Sequence, residues 1–184
     1  MFEIKFWGRG GQGNYLGLKI LGEAAIMVER YLLTAPMFGA ERTGAPVSAD
    51  FRINDSGDQI TARYPITTPD CIVFSDEGLI TAERIQGLKD NGWLIINSAK
   101  PPEDFFHLGP FEIATVDAKK IAAKYGIGTI QTPITNTTIL GAVIKVLKPE
   151  LGMTLKILCR AIKAVIGQTT KLDNNIAAAK EAFA

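Results

Sequence analysis

A loop near the N-terminus, Gly8-Arg9-Gly10-Gly11-Gln12-Gly13, carries the densest chemical signal in the chain. Gly8, Gly10 and Gly13 fit G-x-G-x-x-G. They follow an alternating segment, Glu3 to Trp7, and precede Leu16, Ile20, Leu21, Ala24, Ala25 and Val28 at helical spacing. Residues without Cβ allow positive φ and close backbone approach, and a helix N-terminus offers N–H groups and partial positive charge to a phosphate or carboxylate. A dinucleotide site of the NAD or FAD kind also needs an acidic residue about 20 positions further on, at the end of a second strand. Leu33 and Thr34 stand there instead. The same glycines suit a plainer role, tight packing of helix on sheet or contact with another subunit. Anion binding, dinucleotide binding and packing all stay open on these residues alone.

The remaining reactive side chains exclude more than they offer. Cys71 and Cys159 lie far apart, with no second Cys or His at ligand spacing beside either, so this chain alone builds neither a zinc site nor an iron-sulphur cluster. Their apolar and helical surroundings predict buried, reduced thiols. His107, the only histidine, follows Phe105-Phe106 in a stretch without period, and no Ser or Cys motif supplies a nucleophile for it. No catalytic residue and no metal ligand is assigned.

The elements that would position the glycine loop read as follows. Tyr31 to Pro46 lacks a period and reads as a long loop, or a short helix with a turn. Val47 to Ile53 alternates Val47, Ala49, Phe51 and Ile53 against Ser48, Asp50 and Arg52, which predicts a strand with one wet face. A turn cluster at 54–58 then makes Gln59 to Arg63 the return strand of a hairpin. Cys71 to Phe74 and Gly92 to Asn97 read as buried parallel strands and Phe111 to Val116 as another. Helices are predicted at Leu79 to Leu88, Ala118 to Tyr125 with Asp117 as N-cap, Thr137 to Leu147, Thr154 to Ile166 and Asn174 to Phe183. This pattern is an α/β fold: a mostly parallel sheet with helices on both faces, Rossmann-like, plus an antiparallel hairpin and a helical C-terminal part.

With 184 residues, 47% hydrophobic and 21% charged, the chain suits one domain over 1–184. The 20 Lys+Arg nearly cancel the 19 Asp+Glu, which leaves no basic block to grip nucleic acid or an anionic membrane. Lys145 interrupts the stretch Ile139 to Leu147, and no apolar run approaches the roughly 18 residues a span needs. Met1-Phe2-Glu3-Ile4-Lys5-Phe6 reads as a strand, not as a secretory signal, so a cytoplasmic location is expected.

A second constellation is Phe38-Gly39-Ala40-Glu41-Arg42-Thr43-Gly44-Ala45-Pro46-Val47. No turn type requires its adjacent Glu41-Arg42 pair, whose plain role is an ion pair fixing the loop. Together with the glycine loop, Pro69-Asp70, Asn136-Thr137 and Leu140-Gly141-Ala142, in that order over essentially the whole chain, it resembles the gamma subunit of pyruvate and other 2-oxoacid:ferredoxin oxidoreductases. The small subunit of indolepyruvate:ferredoxin oxidoreductases, which shares the glycine loop, and an independent nucleotide-binding Rossmann-like protein are the alternatives.

The resemblance implies an assembly that converts a 2-oxoacid, coenzyme A and oxidised ferredoxin to acyl-CoA, CO2 and reduced ferredoxin. It implies that thiamine diphosphate, Mg and the 4Fe-4S clusters belong to partner subunits of the alpha, beta and delta type, with ferredoxin as electron acceptor. It further implies an assembly role for this chain and a contact to the nucleotide end of coenzyme A. The cofactor-binding candidates are therefore Gly8, Gly10, Gly11, Gln12, Gly13, Glu41, Arg42 and Asn136, with the Arg42 guanidinium suited to phosphate.

Overall fold

The computed structural model describes residues 1–37, 44–55, 59–129 and 131–184. Six strands form one sheet: β1 (Phe2–Arg9), β2 (Tyr31–Met37), β3 (Pro46–Asn54), β4 (Cys71–Phe74), β5 (Trp93–Asn97) and β6 (Glu112–Val116), in the order β2-β3-β1-β4-β5-β6. β1, β4, β5 and β6 run parallel, whereas β3 is antiparallel to both β1 and β2. β4 and β5 are the strands whose apolar runs predicted burial, and all four residues of β4 are buried.

The helices are α1 (Asn14–Met27), α2 (Ala82–Ile85), α3 (Ala118–Lys124), α4 (Asn136–Val146), α5 (Lys148–Leu151), α6 (Leu155–Ile166) and α7 (Leu172–Phe183). Side chains set the starts of α3 and α6: Asp117 Oδ1 accepts from Lys120 N at 3.0 Å and Thr154 Oγ1 from Ile157 N at 3.4 Å. α1, α4, α6 and α7 cover the face that carries Ile4, Phe6, Phe51, Val73 and Ile95. α4 is the centre of this layer, with every residue from Asn136 to Ile144 buried. The opposite face, carrying Ile72, Phe74, Leu94 and Ile96, has a thinner cover of two 3₁₀ turns (Glu77–Leu79 and Pro102–Leu108), the one-turn α2 and an irregular strap over 59–70.

Four local expectations are corrected. Tyr31–Met37 is a strand, not a loop, because pairing with β3 from Tyr31↔Asn54 to Met37↔Ser48 supplies what the sequence pattern lacks. The hairpin is therefore β2–β3, and 59–63 forms no strand. The expected wet face of β3 is dry: Asp50 and Arg52 are both fully buried beneath the strap. Finally, the expected helix from Leu79 to Leu88 is broken, since Ile80 and Thr81 are extended and the Thr81 side chain caps a new turn by accepting from Arg84 N.

Candidate functional site

β1 has β3 on one side and β4 on the other, and the chain fills the β2–β3 side before crossing to β4, so the sheet's switch point lies at the carboxyl ends of β1 and β4, where α/β folds place their ligands. The glycine loop sits there. Its glycines have different tasks. Gly8 is buried in the β1–β3 ladder, and the Asn14 side chain lies so close over it that a Cβ would fall 1.9 Å from Asn14 Nδ2. Gly10 is engaged at both ends, donating to Ala45 O at 2.8 Å and accepting from Gly44 N at 3.0 Å. Gly11 and Gly13 take positive φ, +86° and +75°, which turns the loop into α1. Gln12 Oε1 accepts from Arg9 N at 3.2 Å and closes the turn.

Asn136 and Gly13 meet at the same point. Asn136 Nδ2 donates to Gly13 O at 3.1 Å while its Oδ1 accepts from Thr137 N at 2.8 Å, so its amide braces the loop. No side chain caps α1, and its opening N–H groups lie beside Gly11 to Gly13. The cavity directly behind, lined by Asn14, Ser75 and Asn136, holds only about 10 Å³. A cavity of that size leaves no room for a phosphate group beneath the loop. Glu41 and Arg42 lie outside the described residues.

Sequence reasoning missed the groups that tie this loop to its neighbours. Ser75 Oγ donates to Asn14 Oδ1 at 3.1 Å, and Asn97 Nδ2 donates to Ser75 O at 2.8 Å. Arg9 Nε donates to Asp76 Oδ2 at 2.9 Å and Arg9 Nη1 to Gly44 O at 3.3 Å, while Lys119 Nζ stands 3.6 Å from the same Asp76 oxygen. Burial raises the Asp76 carboxyl, but hydrogen bonds from Arg9 and Gly78 and the charge of Lys119 bring it below its ordinary value. Ser98 Oγ donates to Glu77 Oε2 at 2.5 Å and, with Lys100, lowers Glu77 likewise. A signal existed: Ser75-Asp76 and Asn97-Ser98 are the first polar residues after apolar parallel strands, which marks the carboxyl edge of such a sheet.

The NAD-type arrangement is not formed. β1 is flanked by β4 and by an antiparallel β3, and Leu33 and Thr34 lie on the edge strand β2. Cys71 is buried, its thiol pushed well up by burial, and Cys159 is half-buried. His107 borders a cleft of about 710 Å³ at the carboxyl ends of β4 and β5 and has no hydrogen bond among the described residues. Among the described residues, no group of three or more His, Cys, Asp or Glu could hold a metal, and no helix is long and apolar enough to cross a membrane.

Fold and site together define an α/β domain with a glycine loop braced at the carboxyl ends of β1 and β4. The profile of the family described as pyruvate ferredoxin/flavodoxin oxidoreductase matches residues 3–184, and the chain belongs to that family. It is 39% identical over 188 aligned positions to a pyruvate/ketoisovalerate oxidoreductases common subunit gamma from Thermococcus kodakarensis, covering 100% of this chain and 96% of that one. It is 41% identical over 143 positions to the pyruvate synthase subunit PorC of Methanothermobacter thermautotrophicus, covering 77% and 74%. The crystal structure of pyruvate oxidoreductase subunit PORC from Thermotoga maritima superposes with a TM-score of 0.81 at 31% identity, over 99% of this chain and 94% of that one.

Proposed function

We propose that the chain is the gamma subunit of a pyruvate-type 2-oxoacid:ferredoxin oxidoreductase and holds the phosphates of coenzyme A over Gly11, Gln12 and Gly13, with Arg42 as the ionic partner. The observation that carries the reading is the uncapped start of α1, fixed from below by Asn136 and from the side by Arg9. Gly8 and Gly10 serve the loop's shape. Glu41, next to Arg42 in sequence, is the second charged candidate.

In this reading the chain contributes binding and assembly to the conversion of a 2-oxoacid, coenzyme A and oxidised ferredoxin into acyl-CoA, CO2 and reduced ferredoxin. Thiamine diphosphate with Mg, which makes the decarboxylation feasible, and the 4Fe-4S clusters, which carry two electrons to ferredoxin, reside in alpha, beta and delta-type partner subunits in the cytoplasm. That the relatives are pyruvate synthase and pyruvate/ketoisovalerate oxidoreductase subunits favours the pyruvate-type class over the indolepyruvate class.

Anaerobic purification of the tagged chain should bring down larger polypeptides carrying iron and thiamine diphosphate; a lone polypeptide would overturn the subunit role. In that assembly Arg42→Ala should raise the KM for coenzyme A by roughly tenfold, the scale of one lost charge-assisted phosphate contact, with reduction by the 2-oxoacid alone unchanged. An unaltered KM removes Arg42 from the site.

A further inference from the structure

The two faces of the sheet are covered unequally. One carries α1, α4, α6 and α7, each 11 to 14 residues long. The other carries α2, only four residues long, with a cleft on either side of it. The first cleft, about 740 Å³, is largely apolar, walled by Ile80, Ile85, Leu88, Leu108 and Phe111. The second, about 390 Å³, lies between α2 and the strap and reaches Lys5, Trp7 and Arg84. Glu83, Gln86 and Gly87 line both, so α2 is a ridge between two grooves. Gly87 seats that ridge against the strap: its φ is +88°, and a Cβ would fall 2.1 Å from Thr67 O. Two exposed aromatics flank the pair, Tyr64 on the strap at 65% exposure and Phe106 at 60%.

The second cleft is cationic. Lys5 Nζ donates to Ile66 O at 2.6 Å and Arg84 Nη1 to Leu79 O at 2.7 Å, and neither forms an ion pair among the described residues. Arg84 stacks 5.0 Å above the Trp7 ring, which fixes its guanidinium in place. Glu83, the one carboxylate lining this cleft among the described residues, is exposed. Main-chain carbonyls leave most of the donors on Lys5 and Arg84 available.

From this arrangement we infer that the α2 ridge is a docking surface for a partner subunit of the assembly. The docked segment places aliphatic side chains in the first cleft and a carboxylate against Lys5 and Arg84 in the second. The inference rests on the subunit reading above. Charge complementarity selects the occupant, because an apolar groove beside Arg84, which forms no ion pair among the described residues, and Lys5, whose one carboxylate neighbour is the buried Asp50, favours a segment that carries both features.

The test uses the assembled enzyme. A photo-cross-linking amino acid is placed at Tyr64, at Phe106 and, as a control on the helical face, at the exposed Lys156 and Lys163 of α6. Cross-links from Tyr64 and Phe106 to a larger subunit are the expected result, together with at least tenfold weaker association for Arg84→Glu and near-normal association for Arg84→Lys. Cross-links confined to α6, or joining two copies of this chain, in an intact assembly overturn the inference alone. A chain that purifies without partners overturns the subunit reading and this inference with it.

Discussion

Asn136, the first residue of α4, holds the carbonyl of Gly13 at 3.1 Å across 123 positions of sequence. The last turn of the glycine loop is therefore fixed by the central helix of the core. Asn136→Ala should lower stability by about 1 kcal/mol, the usual net value of one such hydrogen bond. In a chain of this size that is a drop of roughly 2–4 °C in Tm, measurable by thermal denaturation. The same variant should raise the KM for coenzyme A in the assembled enzyme, since the loop loses its brace. Gly13→Ala should be worse, because its Cβ would fall 2.6 Å from Asn136 Nδ2 and φ is +75°.

Arg9 and Asp76 join the carboxyl ends of β1 and β4, and their pairing has a definite pH signature. Asp76 titrates below its ordinary 3.8, so the stability it contributes is present above that pH and is lost as pH falls through the lower folded value. Arg9→Ala should move the Asp76 carboxyl upward and weaken the loop's hold on Gly44. Carboxyl carbon NMR titration of wild type and variant measures the first effect directly; an unmoved Asp76 would show that Gly78 and Lys119 suffice.

How far sequence pattern reaches in this fold depends on where each element's stability comes from. Cys71-Ile72-Val73-Phe74 is recognisable because a strand buried on both faces must be apolar throughout. The start of α3 is recognisable because Asp117 caps it locally. Tyr31–Met37 is not, since Pro36 interrupts any alternation and the strand exists only through its pairing with β3. Asp50 and Arg52 mislead for a related reason: alternation shows which side chains share a face, but not that a distant strap covers it. The glycine loop is recognisable as a motif, whereas the division of labour within it depends on Asn14, Asn136 and Gly44, whose contacts are tertiary.

The buried face of β3 gives a sharp energetic contrast. Arg52 is fully buried, donating from Nε to Glu3 Oε1 at 2.7 Å and from Nη2 to Tyr64 O at 2.8 Å. Arg52→Ala strips the partner from Glu3 and the neighbouring charge from Asp50, and should cost about 3–5 kcal/mol. Lys89→Ala, which breaks the half-exposed pair with Asp70, should cost no more than about 1 kcal/mol. Urea unfolding of both variants checks the ratio. Asp50 adds an opposite pH effect to that of Asp76. Burial raises its carboxyl, so its charge opposes folding above the raised value, and the opposition is relieved as pH falls toward 3.8.

α4 and α7 pack so closely that Gly141 has no room for a side chain: a Cβ there would lie 2.1 Å from Ala179 O and 3.1 Å from Ala182 Cβ. The nearest obstacle is backbone, so Gly141→Ala must push the helices apart and should cost about 1–3 kcal/mol by overpacking. Gly126→Ala is the control, since its Cβ meets nothing within 4 Å and only its φ of +63° is strained, worth about 1–2 kcal/mol. Denaturant midpoints measure both costs. The KM for coenzyme A then distinguishes local from transmitted damage, because α4 also carries Asn136. A displaced α4 that loosens the Gly13 brace raises that constant in Gly141→Ala and leaves it unchanged in Gly126→Ala, whereas an unchanged constant in both means that the start of α4 stays fixed while its second half yields.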